Sequence, residues 1–482
     1  MIDFTSAQID FSLISPEIAL LATAFIILLF SSFKKSALVA PAIALAGVGV
    51  SIYCITNQWH HQVSGFYGMV TCDNFGVSFK LLFSIIAILA ILVAHKYLEA
   101  KNLNKPEYYA LLLISTMGMM VMANSTDLVV IFLGLEIMSV PLYVLAGFAR
   151  RSLESNEAGI KYFIMGAFAS AFLLMGIAFI FGASETTDLR RIVADFSFNL
   201  SQSKPLLLSG VGFILVGFAF KVGAAPFHSW VPDVYQGAPT PVTAFFSVGP
   251  KAAGFAALLR IFSYGFQQVE ILTTLFWCLA VLTMITGNVL ALKQTNVKRL
   301  LAYSSIAHAG YIFVALTVGG SNAISSAIFY LTAYTLFNVG GFAVVTLLET
   351  RSQAKPELST LNGMAKANPY LAAVLALFVF ALAGFPPTVG FIGKFYIFSE
   401  AVKNGFIWLA VIGVLNSFVS VYYYFKILKA VYFENTDANF TKLVVAPSMM
   451  MVFIICALGT LGIGLFPQEI LNISKSAIFA FL

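Results

Sequence analysis

The chain has 482 residues, 60% of them hydrophobic and only 10% charged, with a formal net charge of +6. A soluble domain carries about 25% charged residues, so the composition excludes a water-soluble enzyme or a nucleic-acid-binding module. It describes an all-α polytopic membrane protein instead, and the basic residues flank apolar runs and form no surface patch.

About fourteen apolar segments follow one another, each close to the ~20 residues that cross a bilayer. Their approximate extents are 13–32, 37–56, 74–95, 108–124, 126–148, 159–183, 206–225, 241–263, 270–291, 300–319, 322–348, 369–402, 406–433 and 445–466. Ser15-Pro16-Glu17 gives the first a helix start, with proline early and an acid at the positive end of the dipole. The first residues contain Asp3 and Asp10 and no basic stretch, so the first span is expected to serve as the insertion signal. Gly47 to Val50 reads as helix-packing glycine, because no strand precedes it to make a dinucleotide site. The four cysteines, Cys54, Cys72, Cys278 and Cys456, form no CxxC, which argues against zinc or an iron–sulfur cluster. Cys72 is expected in an outward loop. Lys80, early in segment three, is expected to snorkel to the outer face.

Loop charges alternate. Lys34, Lys35, Lys96, Lys101, Lys105, Arg150, Arg151, Lys161, Lys293, Lys298, Arg299, Arg351, Lys355, Lys366, Lys426, Lys429 and Lys442 fall on one side. Only Arg190, Arg191, Lys204, Arg260, Lys403 and Lys475 fall on the other. The positive-inside rule puts the first side in the cytoplasm and both termini outside.

Two segments are interrupted. In segment seven, Lys221 is followed by Gly223, Pro226, His228, Pro232 and Gly237; in segment twelve, Gly384, Pro386 and Pro387 precede Gly390, Gly393 and Lys394. Proline removes a backbone donor and breaks the turn, and broken backbone at membrane depth is tolerated where it is enclosed in protein or lines a wet cavity. The bland reading is a pair of ordinary proline kinks. Paired interruptions in two halves point to a transport site. The expected organisation is a three-helix segment (1–105), a five-helix repeat of segments four to eight (106–265), a second repeat of segments nine to thirteen with inverted topology (266–440), and a last helix with an amphipathic tail (441–482).

Five ionisable side chains lie inside apolar runs: Glu136, Lys221, Lys251, His308 and Lys394. A charge near the bilayer centre is expensive and usually marks an ion or proton route. Counting from Asp127 and Pro241, Glu136 and Lys251 lie about 14–15 Å deep at 1.5 Å per residue. Glu136 and Lys221 are the expected pair, either a static lock or a switch for the lysine's proton. Lysine suits a relay because burial can bring its pKa into a working range, as arginine's cannot be, and the expected core cations are all lysine. Lys251 would pass protons between Lys221 and Lys394. His308 is either a bridge or a neutral packing histidine, and His228 either gates access or caps the break. Tyr422, Tyr423 and Tyr424 read as interface aromatics.

The run PFHSWVPDVYQGAPTPVTAFF from Pro226 to Phe246, with Glu136 in LEIMSVPLYVL and Lys221 in FKVGAAPFH, resembles the antiporter-like membrane subunits of respiratory complex I (NADH:quinone oxidoreductase). PDVYQGAPTPV and a lysine at 394 are similar to the N type within that family, and the resemblance covers nearly the whole chain. It implies a proton-translocating subunit of a bacterial inner membrane. It implies no cofactor in this chain, with NADH, FMN, iron–sulfur clusters and quinone handled by partner subunits. Lys394 would be the last lysine, near the outlet. A stand-alone or Mrp-type cation/proton antiporter subunit and a structural spacer are the rival readings.

Overall fold

The computed structural model of the chain describes residues 9–31, 36–198, 204–263, 270–351, 356–434 and 443–477. Lys34, Lys35, Lys355 and Lys442, used above to orient the spans, and the last residues of the tail lie outside the described residues.

The described chain is almost wholly helical. In order it contains α1 (Ser15–Phe30), α2 (Ser36–Asn57), a hairpin of β1 (Val63–Gly65) and β2 (Val70–Cys72), α3 (Asn74–Ala100), α4 (Pro106–Asn124), α5 (Leu128–Ala146), α6 (Leu153–Ser184) and α7 (Leu189–Phe198). Next come α8 (Lys204–Val222), α9 (Trp230–Gly237), α10 (Thr240–Ser263), α11 (Glu270–Ala291), α12 (Val297–Val318) and α13 (Gly320–Arg351). The chain continues with α14 (Met364–Ala367), α15 (Pro369–Ala383), α16 (Val389–Lys403), α17 (Ile407–Tyr432), α18 (Pro447–Leu465) and α19 (Gln468–Ser476). Thirteen of the described helices are long and apolar enough to cross a membrane. Segment twelve, the expected fourteenth span, is a broken pair, α15 and α16, of 15 residues each.

Helix ends follow local chemistry. Asp73 and Asp127 cap α3 and α5 by accepting the backbone N–H groups of Gly76, and of Val129 and Val130. Prolines open α1, α4, α15 and α18, where a missing N–H costs nothing. Both halves carry a 32-residue helix, α6 and α13, just ahead of the broken segment. α10, α12 and α13 are enclosed by other helices on nearly every side, as expected for helices that are apolar all round.

Three expectations change near the ends of helices. Lys80 does not snorkel: it is fully buried, bridges Glu17 at 2.8 Å and donates to Gln58 and the Leu13 carbonyl. Arg260, assigned above to an outer loop, is also fully buried and makes a two-pronged contact with Asp73 at 2.8 and 2.9 Å, so the core cations are not all lysine. Lys298, assigned to a loop, is buried in the first turn of α12. Cys72 is buried too, and burial pushes its thiol up to about 11. The packing reading of Gly47 holds, since a Cβ there would stand 2.2 Å from the Thr23 hydroxyl.

Candidate proton-transfer axis

The break after α8 is stitched by side chains. Trp230 Nε1 donates to the Phe220 carbonyl in the last turn of α8, and Thr283 of α11 accepts the Ala225 N–H. Gly223 has φ +74°, a conformation that favours glycine. Lys221 stands just before this break, buried, and donates to Ser139 Oγ at 2.8 Å and Tyr143 OH at 3.0 Å, both on α5. Glu136 lies one turn from Ser139 on that helix, half-buried, and accepts from Ser170 of α6. The expected Glu136–Lys221 contact is therefore not made: the two share α5 as a neighbour, but no ion pair joins them among the described residues. Two hydroxyl oxygens accept the lysine's hydrogen bonds in its place.

Lys251 sits in α10 directly after Pro250. That proline leaves the Phe246 carbonyl without its helical donor, and Tyr235 OH donates to it at 3.2 Å. Lys251 Nζ itself donates to the Ser305 carbonyl at 2.7 Å and Ser305 Oγ at 2.8 Å. It also lies by the first break: a Cβ on Gly223 would approach Nζ to 3.9 Å.

Ser305 begins a polar line along α12. His308 follows one turn on, buried, with Nδ1 2.6 Å from Tyr330 OH and Nε2 3.1 Å from Tyr424 OH. Tyr311 follows a turn later, with its ring centroid 5.5 Å from that of His308. Lys394 Nζ lies 5.1 Å from the centre of the Tyr311 ring. The lysine caps the second break, donating to the Leu382 and Ala383 carbonyls at 3.0 and 2.9 Å and to Ser417 Oγ at 2.9 Å. A cation on these end carbonyls complements the helix dipole of α15.

The structure thus brings Lys251, His308 and Lys394 into one line, and sets Lys221 and Glu136 at its other end around α5. His228 stays apart in the turn before α9. Its Nδ1 is buried and meets no protein partner among the described residues, where no hydrogen bond or ion pair links the ring to the axis residues. Tyr423 and Tyr424 were missed. They are buried, not at the interface, and hydrogen-bond Asn288 and the His308–Ser304 pair, whereas Tyr422 is exposed. A run of three tyrosines near a helix end gives no sequence signal to separate inward from outward rings. Among the described residues no cluster of histidine, cysteine or carboxylate side chains could hold a metal ion.

The family model described as "NADH:quinone oxidoreductase/Mrp antiporter, TM" matches residues 125–420, which span both breaks and all the axis residues. NADH-quinone oxidoreductase subunit N of Trichlorobacter lovleyi is 44% identical over 473 residues, covering 98% of this chain and 97% of that protein. A chain of respiratory complex I from Thermus thermophilus with bound aureothin superposes with a TM-score of 0.79 at 30% identity, covering 95% of this chain and 98% of that one. A chain of the Mrp complex from Dietzia sp. reaches 0.84 at 19% identity over 96% of each chain, which shows the shared fold alone. The chain belongs to the NADH:quinone oxidoreductase/Mrp antiporter membrane family, as one of its subunit N members.

Proposed function

We propose that the chain is the proton-translocating antiporter-like subunit of an NADH:quinone oxidoreductase, and that Glu136, Lys221, Lys251, His308 and Lys394 carry the proton at mid-membrane. The observation that carries the reading is that Lys221, Lys251 and Lys394 are buried at mid-helix or beside a break, with no carboxylate within ion-pairing distance among the described residues. Two of them stand at helix breaks, and Ser305, His308 and Tyr311 connect the second and third along one helix face. A lysine held only by hydroxyls and carbonyls can lose its proton without leaving a buried carboxylate behind. Electron transfer from NADH through FMN and iron–sulfur clusters to quinone would take place in partner subunits. Both termini would lie on the periplasmic side of a bacterial inner membrane, and residues 106–265 and 266–440 would form the two inverted repeats.

The Glu136–Lys221 gap gives the switch a form. With Lys221 on Ser139 and Tyr143, the pair is in its separated arrangement; approach of the carboxylate would raise the lysine's hold on its proton, and separation would release it toward Lys251. His228 would act at the margin of the first break. The test is turnover and pH gradient in vesicles with wild-type amounts of assembled complex. Glu136→Gln and Lys221→Met should assemble yet pump poorly, and full pumping in both would reduce the pair to packing. The rival, an Mrp-type antiporter subunit, shares the fold; co-purification with flavin- and iron–sulfur-containing subunits separates the two.

A further inference from the structure

We infer that a second polar line, along α10, supplies protons to Lys251 from the membrane edge at Glu349. The inference rests on the proton-transfer reading above and adds to it an uptake carboxylate and a path.

Thr240, Thr243, Ser247 and Lys251 recur every three or four residues and so share one face of α10. All four are buried. At the outer end of this face, the Thr240 hydroxyl donates to Glu349 near the end of α13, and Tyr97 OH of α3 donates to the other carboxylate oxygen at 3.1 Å. Glu349 is half-buried and meets no cation within ion-pairing distance among the described residues. Its titratable surroundings are Tyr97, with Tyr108 of α4 behind it, and Lys298 of α12, with Glu154 of α6 beyond. Lys298 is tied elsewhere, donating to the Ala238 carbonyl at 2.7 Å.

Midway, Ser247 Oγ accepts from Asn338 Nδ2 of α13 at 2.6 Å. Asn338 is 1% exposed, and its Oδ1 meets no protein donor. A buried amide oxygen calls for a donor, and water supplies one while leaving a hydrogen-bonded link along the α10 face. Glu349, Thr240, Ser247 and Asn338 then form a relay that ends at the lysine. A plain packing stripe accounts for part of this, because Ser247 and Thr243 also donate to the carbonyls of Ala244 and Tyr235. It does not account for a carboxylate placed at the mouth with no cation in ion-pairing distance among the described residues, nor for the unmet oxygen halfway along.

The test is proton pumping by the assembled complex in vesicles, from mildly acid to alkaline pH. Glu349→Gln should lower pumping by about a hundredfold or more, the scale on which a positioned proton carrier acts. The loss should deepen as pH rises and bulk protons become scarce. Glu349→Asp and added formate, a small weak acid that ferries protons, should each restore part of the rate. Wild-type pumping by Glu349→Gln at every pH, or a loss that formate does not relieve, overturns the uptake route. If Glu349→Gln does not assemble, Ser247→Ala decides: slower pumping with the same pH trend supports the route, and unchanged pumping overturns it. Lys251→Met separates the two levels. If it pumps normally, the axis itself fails; if it is inactive while Glu349→Gln is normal, only the uptake route fails.

Discussion

Apart from Lys298 in the first turn of α12, the buried cations of this bundle fall into two sets, and they differ in what faces them. Lys80, near the start of α3, and Arg260, near the end of α10, each meet a carboxylate: Glu17 at 2.8 Å and Asp73 at 2.8 Å. Lys221, Lys251 and Lys394, in the central line, meet hydroxyls and backbone carbonyls. Burial alone does not distinguish the sets, since all five are at most 5% exposed. The difference is in their exits. A cation locked to a buried carboxylate cannot be neutralised without stranding the partner, so the carboxylate pairs fasten helices. A lysine on hydroxyls can be neutral or charged at smaller cost, so the central three suit proton transfer.

Breaking one partner at a time makes the contrast measurable. The largest effect belongs to Asp73→Ala, which takes the buried carboxylate from Arg260 and also removes the cap of α3. It should cost about 3–5 kcal/mol for breaking the buried pair and about 1 kcal/mol for the cap, seen as loss of assembled subunit or a lower thermal transition in detergent. Lys80→Met strands Glu17 and should cost about 3–5 kcal/mol by the same reasoning. Gly384→Ala sharpens the second half of the comparison. The residue has φ +86°, and a Cβ would stand 3.0 Å from Lys394 Cδ. The left-handed conformation should cost about 1–2 kcal/mol and displace the lysine, so pumping should fall by more than subunit abundance. The smallest effect is expected from Ser305→Ala, which removes one of two acceptors of Lys251 and should cost about 1 kcal/mol, with slower pumping at normal assembly.

Much of this was legible because the sequence is so apolar. Glu136, Lys221, Lys251, His308 and Lys394 stand out in hydrophobic runs, and Pro226 and Pro386-Pro387 mark breaks that the structure places beside Lys221 and Lys394. The partners were not legible. Glu17 and Lys80 are 63 positions apart, and Asp73 and Arg260 are 187 apart, so each reads alone as a residue near a helix end. Tyr424 reads as an interface ring until α12 is placed against α17, where it meets His308. Glu136 and Lys221 went the other way: opposite charges in apolar runs suggested contact, but Ser139 and Tyr143 supply the lysine's acceptors on α5. Charge and depth predict which groups are buried; only packing decides which of them meet.

The most direct test of that division is the proton-to-electron ratio of Lys251→Met complex, measured on vesicles whose content of assembled subunit is determined in the same preparation. An apolar side chain of similar length replaces a charge that has no carboxylate partner, so the protein should assemble at wild-type levels or better. The account predicts that outcome together with a clear fall in protons moved per electron. A wild-type ratio would contradict it, and so would a collapse of assembly like that expected of Asp73→Ala, because either result would put the central lysines in the same class as the carboxylate pairs.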